Sequence, residues 1–222
     1  MGDDVRAQHR PGSALPDGFS YGADIAYGIA SRSDQPVAGL IILDGIPGGS
    51  GAGAESGGSA IDVGSSRLPY AERERLLRTV VKSPNNPSPV GGYATAGAAL
   101  ADILYTSPSF GGEGGLSNAR NGVSDVRVLA QLLDTYDRWW PRAALSAPAP
   151  SAPRRKIPVL AFAAENMGPK WTAQVKSGAE SFGGDKATVK PLPLHGHLDV
   201  LVGRLAPAEV YEPTRRWMLT GK

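Results

Sequence analysis

The first residue of this chain to suggest chemistry is a serine. Ser20 stands at the centre of Gly18-Phe19-Ser20-Tyr21-Gly22, a G-x-S-x-G pattern that can present a hydroxyl from a sharp strand-to-helix turn for attack on an acyl carbon. A chain with 29 glycines meets such a pattern by chance, so the weight falls on what accompanies it. A serine hydroxyl is a poor nucleophile until a base removes its proton. The chain offers His9, His195 and His197 for that task. His9 lies in a polar leader and reads as a solvated residue. His195 and His197 occupy Pro193-Leu194-His195-Gly196-His197-Leu198-Asp199, directly after the last predicted strand, where α/β proteins gather their active-site loops. A His-x-His pair can also ligate a metal, but no third ligand stands near it at a recognisable spacing. The base reading is therefore preferred, and no metal or other cofactor is expected.

The elements that must carry these residues are legible from periodicity. Ala23 to Ala30 is small and apolar at helical spacing, although Gly28 weakens it. Val37 to Leu43 reads as a short strand between Pro36 and Asp44-Gly45, of the continuous apolar kind that parallel sheets bury on both faces. Residues 46–69, dominated by Gly and Ser, read as a long loop. Helical patterns follow at about 70–82, 94–105 and 123–138, the last with Val126, Leu129, Leu132 and Leu133 as its apolar stripe. Ser146 to Pro153 has the composition of a linker. Ile157 to Ala164 is a second buried strand, 169–182 a helix, Ala187 to Leu192 a third strand and 207–219 a closing helix. This alternation predicts an α/β fold, with a helical insertion between the first two apolar strands.

Composition narrows the partners. Lys and Arg total 23 against 21 acidic residues, for a formal net charge of +2 and no long run of either sign. That balance gives no electrostatic ground for a nucleic-acid or anionic-membrane partner. The absence of cysteine excludes disulfides, thiol catalysis and Cys-ligated metals. No stretch approaches the ~18 apolar residues of a membrane span. The polar opening residues are not followed by the apolar core of an export signal, and no compartment is assigned.

Taken in order, these elements resemble the α/β-hydrolase superfamily, specifically its lipase- and esterase-like members, over most of the chain. Gly18 to Gly22 resembles the nucleophile elbow and Val37 to Asp44 the strand after it. Residues 70–145 resemble a helical cap, and Gly196-His197-Leu198-Asp199 resembles the family's histidine loop before the last helix. The resemblance implies a mostly parallel sheet with an inserted helical cap. It divides the chain into 1–69 (elbow and following strand), 70–150 (cap and linker) and 151–222 (the rest of the core with the histidine loop).

It also implies a serine-dependent carboxylic ester hydrolase in which Ser20 attacks and His197 shuttles the proton. His195 becomes a pocket-wall residue or a competing base. For the acid, the family pattern after Ile157–Ala164 would place an aspartate where Met167 stands. Asp44, on the earlier strand, is therefore the first choice and Glu165 the second, whereas Asp199 reads as capping the following turn. The backbone N–H of Tyr21 would be one oxyanion donor. Tyr136, Trp139 and Trp140, at the end of the cap, are candidates to line the substrate pocket.

Against that family the chain reads as N-terminally truncated. Only seventeen residues precede Gly18, and Pro11, Gly12, Pro16 and Asp17 among them do not read as the strand that should feed the elbow. The expectation is then an unpaired sheet edge through which copies self-associate, and an oxyanion hole lacking its second donor. A second function follows from it: a weak or inactive hydrolase remnant that acts as a binding or self-associating module.

Overall fold

The structure, a computed structural model, describes residues 13–32, 37–48, 68–107, 115–139, 150–153 and 155–220. His9, Trp140, most of the 46–69 segment and half of the 146–153 segment lie outside the described residues. Four parallel strands form one sheet in sequential order: β1 (Asp17–Phe19), β2 (Leu40–Leu43), β3 (Val159–Ala164) and β4 (Ala187–Leu192). Helix α1 (Tyr21–Ser31) joins β1 to β2, and α5 (Pro169–Gly183) joins β3 to β4. Between β2 and β3 the chain makes α2 (Tyr70–Lys82), α3 (Ala96–Thr106) and α4 (Val126–Trp139). A single-turn helix α6 (Asp199–Val202) and a π-helical turn at Pro207–Tyr211 lead into α7 (Glu212–Thr220).

The two middle strands explain the sheet. Every residue of Val159–Ala164 is buried, as are Leu40, Ile41 and Ile42, because α1, α5 and α7 cover the sheet with Tyr27, Val175, Phe182 and Trp217. A Val/Ile/Leu run without polar alternation is what burial on both faces requires. The inserted helices have a core of their own, built on Leu76, Leu77, Leu100, Leu104 and Leu129. Phe19 from the elbow strand and Leu198 from the histidine loop pack into that second core. The elbow strand and the histidine loop thus stand where the two cores meet.

One expectation is corrected. The residues before Gly18 do feed the elbow as a strand: Asp17, Gly18 and Phe19 pair with Ile41, Ile42 and Leu43, and Ala14 bridges Val37 in the same parallel sense. The proline that argued against a strand needs only its carbonyl here. Pro16 O accepts from Ile41 N at 3.1 Å, and Ala14 O accepts from Ala38 N at 2.8 Å. A strand that pairs on one side only does not require the N–H that proline lacks.

Candidate active site

Ser20 follows β1 directly and begins α1, with φ 55° and ψ −118°. A side-chain-bearing residue adopts this region only where the surroundings impose it. The elbow is imposed by close packing. A Cβ on Gly18 would lie 2.1 Å from the carbonyl oxygen of Gly22, so the chain folds back on itself only with glycine there. Gly22 itself has open space around it among the described residues. Tyr21, the first residue of α1, places its N–H in the first turn, whose amides point out of the helix N-terminus. Burial, and secondarily the Asp24 carboxylate, hold the Tyr21 phenol above its ordinary pKa, so it stays neutral.

Sheet register sets the next residue. Phe19 pairs with Leu43, so Ser20 and Asp44 leave adjacent strands at the same level. Ser20 N donates to Leu43 O at 3.1 Å, and Asp44 N donates to Phe162 O at 3.0 Å. Asp44 is fully buried and also has positive φ, 48°. Its Oδ1 accepts from the Ala164 amide at 2.8 Å and from Trp171 Nε1 at 2.9 Å. Its Oδ2 accepts from His197 Nδ1 at 2.7 Å. A buried carboxylate is tolerated when hydrogen-bonded donors surround it, and these three fix both of its oxygens.

The His197 imidazole is held on three sides. Asp44 bonds its Nδ1, the Phe19 ring lies against it with centroids 4.5 Å apart, and Trp171 meets it edge-on at 5.9 Å. With Nδ1 protonated toward Asp44, the neutral ring carries its lone pair on Nε2. The contact with Phe19 brings the ring against the residue that immediately precedes Ser20.

Other sequence candidates fall elsewhere. His195 is equally buried, but its Nδ1 donates to Pro193 O at 3.0 Å and stands 3.7 Å from Glu209 Oε2. The two histidines therefore serve different partners. Glu165 is exposed, in a single 3-10 turn after β3, and Met167 is a buried core residue. Tyr136 and Trp139 fall in the last turns of α4. Asp199 does more than cap a turn: besides Gly196 N, it binds three groups of the 117–124 segment.

Two residues that touch His197, Phe19 and Trp171, have no role in the sequence reading: Phe19 is a variable position of the G-x-S-x-G pattern, and Trp171 falls inside the predicted helix 169–182. A tryptophan in the first turn of the helix that follows β3, with an N–H that must find an acceptor once buried, is the available signal.

No helix among the described residues is long and apolar enough to cross a membrane. Neither a protein-family model nor a curated protein matches the chain. Solved structures do. A candidate lipase from Sulfolobus solfataricus is similar with a TM-score of 0.67 at 18% identity, over 96% of this chain and 60% of that one. An α/β-hydrolase fold protein from Nakamurella multipartita gives 0.51 at 13% identity, over 94% and 69%. A thermophilic esterase from Thermogutta terrifontis gives 0.50 at 15% identity, over 94% and 66%. At such identities the likeness is one of fold. The chain has an α/β-hydrolase fold, a parallel four-stranded sheet with an inserted helical cap, and spans 60% and 66% of the lipase and esterase chains.

Proposed function

We propose that the chain is a serine-dependent carboxylic ester hydrolase in which Ser20 is the nucleophile, His197 the general base and Asp44 the acid that orients it. The observation that carries this reading is the buried 2.7 Å hydrogen bond from His197 Nδ1 to Asp44, on an imidazole that packs against the residue preceding Ser20. In the reaction, Ser20 Oγ forms a bond to the ester carbonyl carbon while His197 Nε2 takes the hydroxyl proton. The tetrahedral intermediate collapses with cleavage of the C–O bond, and the imidazolium returns its proton to the departing alkoxide. Water then repeats the sequence on the acyl-enzyme and frees the carboxylic acid. Asp44 keeps the Nδ1 proton in place and stabilises the transient imidazolium. The Tyr21 N–H is assigned to the oxyanion. Phe19 and Trp171, which touch the His197 ring, are the proposed apolar walls for the acyl or alcohol portion.

A fluorophosphonate probe followed by tryptic mass spectrometry tests the assignment, with fragmentation to locate the adduct. Labelling of Ser20 that disappears in His197→Ala is the expected outcome. Folded protein that takes up no label would overturn it. A second reading has its own observation: β1 is only three residues long and, among the described residues, pairs with β2 alone. A self-associating module would use that edge. It predicts an unlabelled protein whose mass by light scattering rises with concentration.

A further inference from the structure

Asp199 is fully buried, and among the described residues no cation pairs with it. Four donors take the place of a counter-charge. Oδ1 accepts from Ser117 Oγ at 2.6 Å and Ser124 Oγ at 2.5 Å. Oδ2 accepts from the Asn118 amide at 2.6 Å and the Gly196 amide at 2.7 Å. Four donors fill the lone-pair capacity of a carboxylate. Three of them belong to the segment before α4, and the fourth is the residue directly before His197.

The contacts around this carboxylate run the same way. Leu198 N donates to Leu116 O at 2.9 Å and Arg204 N to Val123 O at 2.8 Å. Asn118 Nδ2 donates to Leu194 O at 2.7 Å. A Cβ on Gly196 would lie 2.6 Å from the Leu116 carbonyl, so the histidine loop rests on the cap backbone without a gap. His197 is therefore anchored through both neighbours: Gly196 and Leu198 bond to Asp199 and Leu116. Asp44 orients the ring; the cap segment sets where its backbone stands.

We propose that Asp199 is a positioning residue, whose carboxylate binds residues 117–124 of the cap to the histidine loop and so holds His197 against Asp44. Its kinetic consequence rests on the ester-hydrolase reading; its structural consequence does not. The four donors are of two kinds, and that difference supplies the test. The amides of Asn118 and Gly196 can only donate, whereas the hydroxyls of Ser117 and Ser124 can turn and accept. An asparagine fits with its oxygen on the amides and its NH2 on the hydroxyls. An alanine leaves two buried amides without an acceptor.

The experiment compares wild type, Asp199→Asn and Asp199→Ala. It reads kcat and KM for p-nitrophenyl acetate, and the downfield proton resonance of His197 Nδ1, assigned by its absence in His197→Gln. Asp199→Ala is expected to lower kcat by on the order of 10²-fold, the cost of a small displacement of a catalytic group. KM should change little and the resonance should broaden or vanish. Asp199→Asn should restore most of both. An unchanged resonance and kcat in folded Asp199→Ala would overturn the proposal, whatever its thermal stability. If wild type turns over no ester, the hydrolase reading has failed and the resonance still decides the positioning role. Should Asp199→Ala not fold, Ser124→Ala withdraws one donor and carries the same test: a broadened resonance supports the proposal, and an unaltered one refutes it.

Discussion

Replacing Asp44 by asparagine should disable the site through one proton, and the surrounding donors dictate how. Asp44 Oδ1 receives the Ala164 amide and Trp171 Nε1, at 2.8 and 2.9 Å, and neither group can accept. The asparagine oxygen must therefore take the Oδ1 position. Its NH2 is left at the Oδ2 position, facing His197 Nδ1 at 2.7 Å. Two N–H groups cannot share that contact, so Nδ1 becomes the acceptor and the ring proton moves to Nε2. The base has then lost the lone pair it would offer Ser20. The same exchange in a serine-protease triad lowers kcat by on the order of 10⁴-fold, about 5.4 kcal/mol of transition-state stabilisation. Stability should hardly move. Every hydrogen bond survives, one of them reversed, and the net change should stay within about 1 kcal/mol. Steady-state hydrolysis of p-nitrophenyl acetate, paired with thermal melting, measures both. Glu165→Gln is the control, because that side chain is exposed. A loss in Asp44→Asn smaller than about tenfold, or a worse lesion in Glu165→Gln, would refute the reasoning.

Two further outcomes follow from the site's geometry. His197→Ala should abolish ester hydrolysis while His195→Ala leaves most of it, because His195 bonds the Pro193 carbonyl and not Asp44; kcat of the two variants decides, and the reverse ranking would move the base to His195. The two elbow glycines should differ sharply: Gly18→Ala puts a methyl 2.1 Å from the Gly22 carbonyl oxygen and should cost much of the folded protein, whereas Gly22→Ala meets open space among the described residues and should melt near wild type, as circular dichroism would show.

What the sequence disclosed depended on whether a residue's role was local. Val37–Leu43 and Ile157–Ala164 announce buried strands because burial on both faces removes polar alternation, and β2 and β3 fall within those runs. Ser20, Asp44 and His197 could be put forward because each stands at the carboxyl end of a strand or in the loop after one, and the structure brings His197 against Asp44. The strand before the elbow was not: Pro16 reads as a breaker, and nothing in the sequence says that only its carbonyl is used. The Asp199 contacts were hidden for another reason. They join residues 75 to 82 positions apart, and Ser117, Asn118 and Ser124 have the types expected of any turn. Trp171 reads simply as part of a helix because its bond to Asp44 crosses 127 positions.

The placing of Asp44 on β2, beside the strand that carries Ser20, has a consequence for the order in which this protein matures. β1, α1 and β2 form one compact βαβ unit, so the proposed nucleophile and acid come together through short loop closures. His197 reaches Asp44 across 153 positions, and contacts at that separation form late because the chain must first lose much more conformational freedom. On the proposed reading, Ser20 and Asp44 can meet on the emerging chain before His197 is made, and the Ala164 and Trp171 donors that fix Asp44 Oδ1 follow later. Activity, on the same proposed reading, waits for the last part of the chain, which brings His197 to Asp44 and the histidine loop to the cap.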